Sequence, residues 1–224
     1  MRRLVSLLAI AMFAVPAFGQ VFTVGMDGCC SSDINQWPGG EAPNFAIDGA
    51  GQKYLNFTDL YAGVVVTPAS NAVPGGITVW AANDAEERDP SSFSVYGVNG
   101  ALTAANPGDT VSGMTLIASG GITLPSTRND GGAAALDPAN SATVGFSAAA
   151  AYDNYVIVFP TVKDAGAANS MKIAEVQLMD AAGAPIFTPN DGILGGVLTT
   201  VPEPSTSLMA LLCMIPMIGF IRRR

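Results

Sequence analysis

The densest group of ionisable side chains is Asp84, Glu86, Glu87, Arg88 and Asp89, with Trp80 before it and Tyr96 after it. Such a group can form a polar binding site at one end of a domain, with Trp80 or Tyr96 offering a ring on which a sugar stacks. It can equally be a loop that Arg88 organises by pairing with Asp84 or Asp89 while the other charges are solvated. Paired carboxylates about 5–10 Å apart also hydrolyse glycosidic bonds, so a polysaccharide hydrolase is kept as a remote alternative. The chain has no histidine. That removes Ser-His-Asp and Cys-His catalysis and every His-ligated transition-metal site. Cys29-Cys30 can close only a strained ring, so a cross-link to another chain and two free thiols stand beside it. Asn56-Phe57-Thr58 fits a glycosylation sequon.

Charge bounds the partners. The sequence has 18 acids and 10 bases, a net of −8, but five of the bases are Arg2, Arg3, Arg222, Arg223 and Arg224. From Gln20 to Val201 there are 17 acids against 5 bases, a net of −12. Nucleic-acid binding needs Lys and Arg to displace phosphate counterions, so it is not expected. An apolar content of 49% is that of an ordinary globular chain.

The elements that must position these residues read as short strands. Expected strands are Phe22–Val24, Tyr54–Phe57, Val64–Thr67, Ile77–Ala81, Ser92–Tyr96, Thr115–Ser119, Tyr155–Phe159 and Ile173–Met179. They are rich in Val, Ile, Tyr and Phe and are separated by Gly, Pro, Asn and Asp. Only the Ala-rich stretches 133–135 and 148–151 offer a helical turn, and no repeat of 20–50 residues is present. About eight strands in one domain over 20–183 predict a sandwich or jelly roll. Residues 184–201, with Pro185, Pro189, Gly192, Gly195 and Gly196, read as a linker.

The two ends read as addresses. Arg2-Arg3, an apolar run from Leu4 to Val15 and the small residues Ala17 and Gly19 predict a signal peptide over 1–19, cut before Gln20 by signal peptidase. At the other end, Val201-Pro202-Glu203-Pro204-Ser205-Thr206 leads into an apolar stretch and then Arg222-Arg223-Arg224. A transmembrane helix is expected over 205–221, short of the roughly 20 residues of a comfortable span but helped by snorkelling arginines. Three terminal arginines favour a cytoplasmic end, leaving the domain outside the inner membrane. Segment 202–224 resembles the PEP-CTERM sorting signal of Gram-negative bacteria, also catalogued as an ice-binding protein C-terminal domain. The resemblance implies an exosortase that recognises Pro202, Glu203 and Pro204 and processes the tail; Cys213 would leave with it. It says nothing of ice.

The middle carries a second resemblance. Ala46-Ile47-Asp48-Gly49 with Lys53-Tyr54, then Ala82-Asn83-Asp84 with Arg88-Asp89-Pro90, then Ser94-Val95-Tyr96-Gly97, are similar to segments of discoidin-like, or galactose-binding-like, domains. Leu116–Gly120, Tyr155–Pro160 and Ile173–Val176 continue the order. The chain departs from that pattern at Val98-Asn99-Gly100 and at Met114. The resemblance implies an all-β, eight-stranded jelly-roll sandwich of the coagulation-factor type C kind. It also implies a structural calcium held by Asp48 and Glu175 with carbonyls near Ala46, Gly51, Lys53 and Ala174, a donor set of the kind calcium takes. The alternative for Asp48 is a turn cap beside a glycine of positive φ.

The expectation is therefore an exported, non-enzymatic protein, membrane-tethered and then delivered to the envelope, surface or extracellular matrix. Its sandwich would bind carbohydrate through Trp80, Asp84, Arg88, Asp89 and Tyr96, or would be a purely structural matrix component.

Overall fold

A computed structural model describes residues 18–28, 35–57 and 61–202. The signal peptide up to Ala17, both Cys29 and Cys30, Thr58 of the sequon, Glu203, Pro204 and the expected transmembrane helix lie outside the described residues. Among the described residues no helix is long and apolar enough to cross a membrane. The chain divides into a compact unit, Gln20–Thr199, and a second unit of Met1–Gly19 with Thr200–Arg224. Only 18–19 and 200–202 of the second are described, as the outer ends of two strands.

Fourteen strands are described: β1 (Phe18–Val24), β2 (Met26–Asp27), β3 (Gln36–Trp37), β4 (Tyr54–Asn56), β5 (Ala62–Thr67), β6 (Pro74–Trp80), β7 (Ser92–Val98), β8 (Thr110–Val111), β9 (Thr115–Gly121), β10 (Ser141–Gly145), β11 (Asn154–Phe159), β12 (Met171–Ile173), β13 (Glu175–Asp180) and β14 (Gly192–Pro202). A seven-stranded sheet runs β8-β1-β14-β5-β11-β7-β9, and a three-stranded sheet runs β10-β6-β13. The pairs β12–β4 and β2–β3 complete the framework. All eight expected strands are present, though Ile173–Met179 is broken at Ala174, whose amide turns to the Trp80 carbonyl at 3.0 Å. The Ala-rich stretches form no helix; Ala135 instead bridges Ala50.

The two main sheets face each other as a β-sandwich. Val64, Val66, Phe93, Val95, Ile157 and Phe159 from the larger sheet pack with Ile77, Val79, Val176 and Leu178 from the smaller. Alternation along a strand sends every second side chain to the opposite face. In the larger sheet those alternates are also apolar: Val65, Val156, Val158, Tyr96 and Val98 form a second buried cluster with Phe22, Val24, Ala104 and Val111. The uninterrupted apolar runs Val64-Val65-Val66 and Tyr155–Phe159 follow from this, since a strand buried on both faces has no polar side.

The architecture is all-β and sandwich-like, with ten strands in its two main sheets where eight were expected. The largest correction concerns the expected linker. Gly192–Pro202 is a strand, paired with β5 from Gly192↔Thr67 to Val197↔Ala62, near the middle of the larger sheet. The domain expected to end at 183 continues to Thr199. Gly195 and Gly196 are there for space: a Cβ on Gly195 would press on Pro43 and Trp37, and one on Gly196 on Phe22 and the Thr23 carbonyl.

Candidate functional site

Strand β6 delivers Trp80 to one end of the sandwich, where Glu175 of β13 is its register partner on one side and Ser141 of β10 on the other. The chain then leaves the sheet through buried Ala81 and Ala82, reaches exposed Asp84, turns at Ala85 with φ 39°, and makes a 3-10 turn over Glu86–Arg88. Asn129 ties this exit down: its Nδ2 donates to the Ala81 carbonyl at 2.6 Å and its Oδ1 accepts from the Asp137 amide at 2.9 Å.

Arg88 pairs with neither Asp84 nor Asp89. Asp84 accepts from Lys53 at 2.7 Å and from Lys172, and Lys53 also reaches Glu41 at 3.2 Å. Burial opposes ionisation of Asp84, but the two ammonium groups outweigh it and hold its carboxyl at about 2. Lys172 is wholly buried; burial pushes its ammonium down against the pull of Asp84. Asp89, also wholly buried, is clamped by Arg128, with Nη1–Oδ1 and Nη2–Oδ2 both 2.8 Å, and by Lys163 at 3.3 Å. Lys163 in turn meets Glu86 at 2.8 Å. A fully buried carboxylate requires cations that reach into the interior with it, and Arg128 and Lys163 come from other loops to do so.

Of the five cations of the domain, four are therefore in ion pairs. Arg88 makes none among the described residues, and its Nε is buried without an acceptor. The indole N–H of Trp80 is in the same condition. A buried donor left without a partner costs about 1–3 kcal/mol, so Trp80 and Arg88 carry two unused donors, beside an Asp89 Oδ2 that is held by ion pairs alone. The neighbouring ammonium groups hold the Asp84 and Glu86 carboxyls down, so neither is suited to a general acid, which needs a raised pKa.

Tyr96 is corrected. It lies in β7 at 5% exposure, in the second apolar cluster beneath the 100–114 segment, and presents no ring face to solvent. Strand parity decides this: Phe93 and Val95 face the inter-sheet core, so Tyr96 faces the other way. Asn56 of the sequon is likewise fully buried, its Nδ2 donating to the Tyr54 hydroxyl at 2.7 Å, and offers no acceptor for a glycan.

Asp48 and Glu175, which are 127 positions apart in the chain, come together at Gly49. The Gly49 amide donates to Glu175 Oε2 at 3.2 Å, and the Ala50 amide donates to Asp48 Oδ1 at 2.8 Å. Gly49 has φ 75°, so the turn-capping role of Asp48 is present as well. Burial pushes the Glu175 carboxyl up to about 8 against the Gly49 hydrogen bond, with a smaller push from the Asp48 charge. Burial also raises Asp48. Two adjacent carboxylates without a cation between them fit a hard divalent ion in charge and donor type. Backbone carbonyls would have to supply the remaining oxygens, because no group of three or more His, Cys, Asp or Glu able to hold a metal occurs among the described residues.

Sequence reasoning missed Lys53, Lys163, Lys172 and Arg128 as the residues that shape this end. The available signal was arithmetic: with so few cations, buried acids had to claim most of them.

No protein-family model matches the chain, and no curated protein matches it. Among solved structures it is similar to a family 32 carbohydrate-binding module from C. perfringens NanJ, solved in complex with galactose, at 15% identity and TM-score 0.40, covering 62% of this chain and 85% of that one. It is similar to CpGH89CBM32-5 from Clostridium perfringens, in complex with GalNAc-beta-1,3-galactose, at 12% identity and TM-score 0.38, covering 64% and 81%. A third is the CBM32-1 and CBM32-2 domains of Clostridium perfringens ZmpB, at 16% identity and TM-score 0.40, covering 69% of this chain and 36% of that one.

Proposed function

We propose that the chain is an exported, non-catalytic β-sandwich protein that binds carbohydrate at the end formed by Trp80 and the 83–90 loop. The observation that carries the reading is Arg88: among the described residues it is the one cation of an acidic domain without an ion pair, in the same region as a tryptophan whose N–H also has no acceptor there. Planar guanidinium and indole groups are the side chains that combine hydrogen-bond donation with a stacking surface. Asp84 and Asp89 act indirectly, by fixing the loop through Lys53, Lys172, Arg128 and Lys163. Calcium at Asp48 and Glu175 would brace the adjoining corner, since Glu175 sits opposite Trp80.

The delivery route is part of the same proposal. The Arg2-Arg3 leader, the Pro202-Glu203-Pro204 motif, the apolar stretch and the arginine cluster support export, membrane tethering and exosortase-type sorting to the envelope, surface or matrix.

Glycan-array screening of the purified protein tests the binding reading. Binding abolished by Trp80→Ala and by Arg88→Ala is expected. Absence of binding to any glycan would favour the second reading, a structural matrix protein, for which the extensive salt-bridging of this loop already speaks. Fractionation of tagged protein, with mass spectrometry of its mature C-terminus, tests the sorting.

A further inference from the structure

A sheet edge displays unpaired backbone N–H and C=O groups, and soluble proteins protect such edges with charges, prolines, bulges or covering segments. The larger sheet ends on one side in β8, only Thr110–Val111, and on the other in β9, Thr115–Gly121. Most of β9 is exposed, and Leu116, at 55%, is the most exposed large apolar side chain among the described residues. The only protective device in it is a bulge: Leu116 pairs with Tyr96 and Ala118 with Val95, leaving Ile117 unmatched. Beyond the bulge, Ala118–Gly121 pairs regularly with β7 and leaves its outer side open.

The charge pattern says what such an edge can meet. No charged residue occurs from Thr110 to Thr127, in a domain of net −12. The neighbouring edge is neutral too, with no charge from Pro138 to Tyr152, a stretch that contains β10. Phe93 of β7 stacks on Phe146, just after β10, at 6.4 Å, so both neutral edges lie along one flank of the sandwich. Two copies of an acidic domain repel each other wherever acids face acids. This flank is where they can approach without that cost.

We infer that β9 is a self-association edge: two copies pair their Ala118–Gly121 arms antiparallel about a two-fold axis, continuing the larger sheet from one copy into the other. An isologous contact of this kind closes on itself and stops at a dimer, and main-chain hydrogen bonds supply its affinity. It does not depend on the carbohydrate reading.

The full-length chain in density-matched detergent micelles tests it by sedimentation equilibrium, alongside hydrogen exchange of the 114–122 region. Wild type is expected to reach two chains per particle, with β9 amide protection rising with protein concentration. Leu116→Glu with Ser119→Glu should raise the dissociation constant at least about 100-fold, since like charges facing each other across an interface cost several kcal/mol, while far-UV dichroism is unchanged. A single chain per wild-type particle, a dimer that survives both glutamates, or β9 exchange independent of concentration would each overturn the proposal. Should the double variant fail to fold, the wild-type exchange measurement decides alone.

Discussion

Glu175 Oε2 accepts the Gly49 amide at 3.2 Å, which sets its carboxylate beside that of Asp48, on a strand whose register places Glu175 opposite Trp80. One buried acid thus joins the Asp-Gly corner, the last strand of the smaller sheet and the aromatic end of the sandwich. Burial chiefly, helped by the Asp48 charge and opposed by the Gly49 hydrogen bond, pushes that carboxyl up to about 8, which makes a prediction whose sign is fixed.

Because the folded value lies above the ordinary 4.5, the metal-free folded state keeps a proton that the unfolded state gives up. Stability should fall as pH rises from about 4.5 to about 8 and level off above that. Calcium, by replacing the proton, should raise the melting temperature most at pH 8, with about 2.7 kcal/mol of stabilisation when calcium is at about 100 times its dissociation constant. Glu175→Gln should flatten the pH profile and remove the calcium response. Differential scanning calorimetry with EDTA and with calcium decides it; identical transitions in both would dismiss the metal.

Trp80→Ala and Arg88→Ala should each weaken glycan binding by about 10- to 100-fold, the loss expected when one stacking or charged hydrogen-bonding group is removed. Both variants should keep wild-type far-UV dichroism. Isothermal titration against an array-identified glycan provides the readout, and unchanged affinity in both would move the site elsewhere.

The Lys172–Asp84 pair supplies a stability test. Asp84→Ala strands a wholly buried ammonium, so a loss of about 3 kcal/mol is expected in urea unfolding, at the low end for a broken buried pair because Asp84 itself is half exposed. The folded Asp84 value of about 2 lies below the ordinary 3.8. Its contribution is therefore complete above about pH 4 and is lost as pH falls through about 2. Asp84→Asn should accordingly show a shallower acid transition than wild type.

Gly196→Ala distinguishes a core strand from a tether. A methyl there meets Phe22 and the Thr23 backbone, and overpacking of this kind costs about 1–3 kcal/mol. An unchanged denaturation midpoint would argue that β14 is not held in the sheet.

Deleting Pro202–Arg224 should release the protein from the cell envelope into the medium, read by fractionation and immunoblotting. Retention at the envelope would sink the sorting proposal.

Much of the fold was legible because strand signals are local. Tyr155–Phe159 and Val64–Thr67 carry enough β-branched and aromatic residues to identify themselves, and their unbroken apolar runs already imply burial on both faces. β14 was not legible for an opposite reason. Its glycines and the nearby prolines have the composition of a linker, yet Gly195 and Gly196 are glycine because Trp37, Pro43, Phe22 and Thr23 crowd the strand. Composition cannot separate a residue that is small for freedom from one that is small for want of room.

The candidate site divides the same way. The sequence by itself determined an acidic, histidine-free chain with basic ends, excluded the His-dependent chemistries, and identified the 84–89 cluster and the Asp48–Gly49 corner. Only the tertiary structure decided which charges cancel. Asp84 takes Lys53 and Lys172, and Asp89 takes Arg128 and Lys163, so among the described residues Arg88 is left over; parity in β7 buries Tyr96, and the β13 register carries Glu175 to Asp48. These outcomes depend on contacts between segments tens of residues apart. Ion pairing and burial are set by distance in space, which a linear order of residue types does not contain.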